Sequence, residues 1–232
     1  MKDNSLPAEE FRSPSNVLSH DVRNKHFGED AIKKFHDEIK HFELGQHVSE
    51  KIRIQFDTAR NLFLHSLFVY RFFPIAKHQL LVTLEHSIRD CIGEEALEEY
   101  RRAKNKKVAK GGRRFARGLK FNLTYLIDFN LIKNEDFSIW QHGKARKAES
   151  DYEEQVWKKM QNEGLDSYAW DESEIDYSNV DYQYDYLEVL SESLPFIRNS
   201  LSHGSTFLSR GGSHDFEIVS TIINQIFERY NK

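Results

Sequence analysis

Apolar side chains recur every three or four residues along most of this chain, which is the spacing of one face of an α-helix. The clearest run includes Ile52, Phe56, Ala59, Phe63 and Leu67. The 232 residues contain only 4 prolines and 11 glycines, so few strong helix breakers interrupt the pattern. No alternating strand pattern of useful length is present. We therefore predict an all-α fold, an antiparallel helical bundle with helical and loop insertions.

Prolines and glycines suggest where the helices end. The first long helix should break or kink near Pro74, and the second should stop near Gly93. Later helices are predicted from about residue 182 to 203 and near the C-terminus. A third main helix is expected between these, with the apolar residues Phe115, Leu119, Leu123 and Leu126.

The polar N-terminus, which contains Pro7 and Pro14, predicts a flexible arm over residues 1–25. Residues 26–232 are expected to form a single helical domain. Charged insertions are predicted at 94–112 and 133–180, because neither stretch has a clean apolar stripe. The first should be a short helix and a loop, and the second short helices and loops.

Several function classes are disfavoured by composition. The N-terminus has no apolar signal segment, and no stretch approaches the roughly 20 apolar residues of a membrane span. Cys91 is the only cysteine, and it lies on an apolar rhythm that predicts a buried, unreactive thiol. Neither HExxH nor paired CxxC spacing occurs, so we expect no metal site and no cofactor. The chain is predicted to be cytoplasmic, without a membrane partner.

Charge is segregated along the chain although the net charge is only −4. Residues 101–120 contain ten Lys or Arg and no Asp or Glu, whereas acids dominate 149–188. The basic run predicts a surface for the RNA backbone. A solvated loop, or a partner for the acidic segment, is an equally open interpretation. The RNA-binding candidates are Arg101, Arg102, Lys106, Lys107, Lys110, Arg113, Arg114 and Arg117.

The strongest candidates for catalytic residues lie in the segment Arg198-Asn199-Ser200-Leu201-Ser202-His203, which Gly204 follows. At about 100° per residue, Asn199 and His203 stack one turn apart and face away from the leucine stripe of their helix. Arg198 lies on the flank of that stripe. An ordinary polar helix end would have the same composition, so the pattern alone leaves both interpretations open.

The string RNSLSHG resembles the R-N-x-x-x-H signature of HEPN domains, including the glycine that often follows it. Elsewhere the resemblance is one of pattern, over about residues 50–232. It implies a helical bundle that dimerises and brings two motifs into one cleft. Many HEPN proteins are metal-independent endoribonucleases of toxin–antitoxin, abortive-infection and CRISPR-associated systems.

Carried over to this sequence, the resemblance makes His203 the acid or base and Arg198 the group that binds the phosphate. Asn199 would orient one of them. Histidine titrates near neutrality, and arginine stays cationic with a forked donor set. Some HEPN proteins place acidic or polar residues of a neighbouring helix near the motif, so Glu85 and Arg89 are secondary candidates. An intrahelical ion pair is the better explanation of that four-residue spacing.

The predicted function is therefore an endoribonuclease that cuts single-stranded RNA by attack of the 2′-hydroxyl, as a toxin or defence effector. The predicted partners are RNA, a second copy of the chain, and an antitoxin or other defence protein. One alternative is a non-catalytic HEPN module that binds a nucleotide or a partner protein. The other is a structural helical protein in which the motif occurs by chance.

Overall fold

The computed structural model describes residues 11–109, 112, 114–203 and 210–230. Every regular element within these ranges is a helix, which confirms the all-α prediction. The α-helices are α1 (Ala31–Ile39), α2 (Glu50–His65), α3 (Phe72–Ile92), α4 (Glu94–Lys106), α5 (Leu119–Asp128), α6 (Ser138–Glu163), α7 (Tyr186–Ser202) and α8 (Ser213–Tyr230). In the described part of the chain, none of them is both long and apolar enough to cross a membrane.

Helix α3 lies at the centre of the bundle and packs against α2, α7 and α8. The short connection 66–71 makes α2 and α3 an antiparallel hairpin. Phenylalanines from α1, α2, α3 and α8 form the middle of the core, with ring centroids 5.5–5.9 Å apart. These residues are Phe35, Phe56, Phe63, Phe73 and Phe216. Aromatic contacts at this spacing add to the stabilisation from apolar burial.

The two predicted breaks have different outcomes. Helix α3 ends at Ile92, and Gly93 has a φ of 87°, a conformation that favours glycine. The first break, however, lies earlier than Pro74, because α2 already ends at His65. Pro74 falls in the first turn of α3, where its missing N–H would have had no helical partner.

The connection between α4 and α5 differs from the prediction in a way that affects the site. Phe115 was expected on the third main helix, but α5 begins only at Leu119. Gly118 precedes it with a φ of 144°, outside the helical region. Phe115 therefore belongs to the connection, which places it beside the end of α7.

The predicted insertion at 133–180 contains one long helix rather than short ones. Only Ala148 and Tyr152 of α6 are buried, so the helix has no apolar stripe. It is built largely from good helix formers, with an Lys147–Asp151 ion pair of four-residue spacing. Its distal half packs with Ile175 in a small apolar cluster separate from the main core. The insertion at 94–112 is helical through Lys106.

The last residues of the predicted N-terminal arm are packed into the helical domain. Asn24 is fully buried, and its amide donates to the Ser66 and Leu67 carbonyls at 2.8 and 3.1 Å. The Asp21 N–H also donates to the Leu67 carbonyl, at 3.0 Å. The domain thus begins before residue 26. Residues 1–10 of the predicted arm lie outside the described residues.

Candidate functional site

Helix α7 positions the R-N-x-x-x-H segment against α3 and α5. Its buried side chains include Leu187, Leu190 and Leu194, which continue the apolar stripe expected from the sequence. Pro195 lies inside the helix, and the helix continues through it to Ser202. His203 is the C-cap residue, and its N–H donates to the Asn199 carbonyl at 3.0 Å.

Arg198 forms an ion pair with Glu85 of the central helix. The Arg198 Nη2 donates to Glu85 Oε2 at 3.1 Å, and the Arg89 Nη2 donates to Glu85 Oε1 at 2.6 Å. The Glu85 side chain is only 7% exposed, between two guanidiniums that are 33% and 38% exposed. A buried carboxylate needs such compensation, because removing it from water costs several kcal/mol. The structure therefore brings together both secondary candidates and the arginine of the motif.

A cavity of about 580 Å³ opens beside this ion pair. Its described lining includes five cationic residues, namely Arg89, Arg114, Arg117, Lys120 and Arg198. Of the described residues in the same wall, Glu85 alone carries a carboxylate. Asn199 also lines the cavity, and its Oδ1 accepts from Arg198 Nη1 at 3.4 Å. The cavity has the size of ordinary small-ligand sites and a strongly cationic wall.

His203 occupies a different position from the other motif residues. It is exposed at the end of α7 and is not among the residues that line the cavity. One turn of helix separates it from Asn199. The motif is therefore divided between a cavity wall and an exposed helix end.

No sequence pattern indicated a second histidine near this helix end. His78 of α3 places its Nε2 3.0 Å from the Ser202 Oγ. The Ser202 hydroxyl donates to the Arg198 carbonyl at 2.9 Å, so it accepts from a protonated Nε2 of His78. His78 of α3 contacts Ser202 of α7, and Glu85, further along α3, contacts the earlier residue Arg198. The two helices therefore run antiparallel.

The basic run is partly neutralised by acids from other segments. Glu98 meets Arg101, Arg102 and Arg117 at 2.6, 3.3 and 3.0 Å. The hydrogen bond from Arg101 is the main cause that lowers the Glu98 pKa to about 2.

Lys104 pairs with Asp128, and Lys120 pairs with Glu192, each at 2.5 Å. Within the described residues, none of these pairs involves the acidic segment 149–188. The same residues include no ion pair of Lys106, Lys107 or Arg114. Lys110 and Arg113 lie outside them.

Phe115 is held in place by the side chain of a single residue. The Asn105 Oδ1 accepts from the Phe115 N–H at 2.8 Å, and the Asn105 Nδ2 donates to the Phe115 carbonyl at 3.2 Å. Phe115 lines the cavity and is 37% exposed. Its ring contacts the buried Phe121 ring at a centroid distance of 6.3 Å. An anchored aromatic face thus lies beside the cationic wall.

Among the described residues, no group of three or more His, Cys, Asp or Glu is arranged to hold a metal ion. A comparison with protein-family models, curated proteins and solved structures finds no match to this chain.

Proposed function

We propose that this protein is a HEPN-like endoribonuclease that cuts single-stranded RNA without a metal ion. One observation carries the proposal: Arg198 and Asn199 of the R-N-x-x-x-H segment line a cavity with five cationic side chains. A polyanionic chain is the ligand that such a wall favours. The HEPN assignment itself rests on the sequence resemblance and is supported by the helical fold.

The chemistry needs a base, an acid and a cation. The 2′-hydroxyl loses its proton and attacks the adjacent phosphorus, and the 5′-oxygen leaves with a proton, so the products are a 2′,3′-cyclic phosphate and a 5′-hydroxyl. Arg198 is the cation for the phosphate, because its forked donors match the developing charge. Asn199 orients the Arg198 guanidinium, because its Oδ1 accepts a hydrogen bond from Arg198 Nη1. His203 performs one proton transfer.

The second proton transfer has two candidate sources. In a two-fold dimer, His203 of the second copy supplies it, as the resemblance implies. Phe196 supports such an interface, because it is 72% exposed and lies seven residues before His203, on the same face of α7. Within one protomer, His78 is the candidate, since it hydrogen-bonds to the residue next to His203.

A second candidate function is nucleotide binding without cleavage. The observation that favours it is the separation of His203 from the cavity that Arg198 and Asn199 line. In that case the cationic wall holds a nucleotide, and the histidine has no role. A role as toxin or defence effector, an antitoxin partner and a cytoplasmic location remain proposals from the resemblance and the composition.

The test is cleavage of a single-stranded RNA in excess EDTA. We expect 2′,3′-cyclic phosphate or 3′-phosphate ends from the wild type. His203→Ala and Arg198→Ala should each lower the rate by about 10²- to 10⁴-fold. His142→Ala is the matched control, because His142 is an exposed histidine on α6. Cleavage that stops in EDTA, or that both variants retain, contradicts the proposal, and binding without cleavage favours the second candidate.

A further inference from the structure

We infer that the cavity beside Arg198 binds one unstacked nucleotide of single-stranded RNA, with its base on the ring of Phe115. This inference rests on the proposed function for the position of the scissile phosphate at Arg198. It adds a base-binding subsite and a residue that selects the single-stranded state of the RNA, neither of which belongs to the R-N-x-x-x-H segment.

The cations of the cavity define where the RNA backbone lies. Arg198 and Arg89 both pair with Glu85, and Arg117 pairs with Glu98. Part of the positive charge of these three arginines is therefore already balanced. Arg114 forms no ion pair among the described residues and is exposed. Within the described residues Lys120 pairs with Glu192 alone, and both side chains are more than half exposed, so water screens that pair. Arg114 and Lys120 thus supply charge for a phosphate next to the scissile one.

Phe115 supplies the aromatic face. Its side chain is partly exposed at the cavity, while both polar groups of its backbone are occupied by Asn105. Because the backbone is held, less conformational freedom is lost at this position when a base stacks on the ring. Phe121 backs the ring from the buried side.

The arrangement favours a single strand over a duplex. A base can reach Phe115 only if it is unstacked from its neighbours, and bases in a helix are paired and stacked. Base–aromatic stacking tolerates every base, because each has a π-face. The subsite therefore selects the single-stranded state of the RNA and imposes little sequence preference.

The experiment separates binding from cleavage by using an RNA that cannot react. A fluorescent 12-nucleotide 2′-O-methyl RNA lacks the attacking hydroxyl, and its affinity is measured for wild type, Phe115→Ala and Phe115→Leu. A 2′-O-methyl oligomer of the same length, with abasic sites at every position, is the second probe. The control variant is Phe11→Ala, since Phe11 is a fully exposed phenylalanine that does not line the cavity.

We expect Phe115→Ala and Phe115→Leu to bind the base-containing oligomer about 5- to 150-fold more weakly. Both should bind the abasic oligomer like the wild type, and Phe115→Trp should keep the wild-type affinity for both. Arg114→Ala and Lys120→Ala should weaken the binding of both oligomers. Each should also reduce the salt dependence of binding by about one ion. The Phe115→Leu variant keeps apolar bulk, so its melting temperature should match that of the wild type.

A loss of less than two-fold in Phe115→Ala and Phe115→Leu overturns the inference. An equal loss on the abasic oligomer also overturns it, because Phe115 then acts by holding the structure. A wild type that binds neither oligomer overturns it as well. If Phe115 governs binding but unmodified RNA is never cleaved, the proposed cleavage fails while the base subsite stands.

Discussion

The guanidinium of Arg198 and the carboxylate of Glu85 form an ion pair that links α7 to the central helix α3, with Nη2 and Oε2 3.1 Å apart. Glu85 is buried, so its charge fixes the direction of both arginines around it. Arg198 consequently lies along the cavity wall, with about one-third of its side chain exposed. The ion pair thus stabilises the packing of the two helices and fixes the position of the group that we propose binds the phosphate.

Glu85→Gln tests this dual role. The substitution keeps the shape of the side chain, but it removes the carboxylate that Arg198 pairs with and leaves Arg89 with the exposed Glu94. Fully buried broken pairs cost about 3–5 kcal/mol. Both arginines are about one-third exposed, so we expect a smaller loss of about 1–3 kcal/mol in the free energy of unfolding. Urea denaturation measures it, and cleavage should fall because Arg198 loses its orientation.

Glu94→Gln is the control for Glu85→Gln. Glu94 also contacts Arg89, at 3.5 Å, but it is exposed, so its loss should cost under about 0.5 kcal/mol. A Glu85→Gln protein as stable as Glu94→Gln would contradict the structural role of the ion pair.

His78→Ala distinguishes the two sources of the second proton transfer. If His78 acts within the protomer, the rate should fall about 10²- to 10⁴-fold, and one limb of the pH–rate profile should disappear. The measurement is the pH dependence of RNA cleavage. His86→Ala is the matched control, because His86 lies on the same helix and bonds to Gln55. An unchanged profile in His78→Ala assigns the transfer to the second copy.

Phe196→Asp tests the predicted homodimer. A carboxylate in place of a large exposed apolar side chain should disfavour burial against a second copy. We expect light scattering to report a dimer for the wild type and a monomer for the variant at micromolar concentration. Ile54→Asp is the control, because Ile54 is exposed on α2 and should leave the dimer intact. A monomeric wild type would contradict the prediction directly.

The fold was predictable where one face of a helix is buried. The stripes of α2, α3, α7 and α8 follow the three-and-four spacing, and burial of those faces is what selects for it. Helix α6 was predicted as short pieces because few of its residues contact the core. Its helicity comes from intrinsic propensity and local ion pairs, which leave no apolar pattern to detect.

The site was predictable only within single helices. Glu85 and Arg89 share a helix, so their four-residue spacing already indicated a contact. The pairing of Glu85 with Arg198 depends on the register between α3 and α7, which a local pattern does not encode. The Glu98 contacts were missed for the same reason. Glu98 lies one helical turn before residue 101, so a count of the charges within 101–120 does not include it.

Cys91 should react slowly with thiol reagents. Burial, and secondarily the charge of Asp90, raises the pKa of its thiol to about 11. At pH 8 the thiolate fraction is then on the order of 10⁻³, about two orders of magnitude below that of an ordinary cysteine. Reaction with a chromogenic disulfide should be correspondingly slow in the folded protein and fast in urea. Cys91 is only partly buried, which differs from the buried position predicted from the sequence, and a fast reaction without urea would contradict the raised pKa of its thiol.

Glu98→Gln should change how the stability depends on pH in a definite direction. The folded-state pKa of Glu98, about 2, lies below its ordinary value of 4.5, chiefly through the hydrogen bond from Arg101. Between these values the unfolded chain binds more protons than the folded one, so stability rises with pH there. The contribution of Glu98 is thus complete above pH 4.5 and is lost as the pH falls towards 2.

The measurement is the urea midpoint of wild type and Glu98→Gln between pH 6 and pH 2.5. We expect the wild type to be more stable at pH 6, and the difference to narrow steadily below pH 4.5. Glu95→Gln is the matched control, since Glu95 is exposed on the same helix and has no ion pair among the described residues. Its difference from the wild type should stay small across the range. If the difference in urea midpoint between wild type and Glu98→Gln does not change with pH, the prediction is wrong. Glu98 would then stabilise the fold without its negative charge.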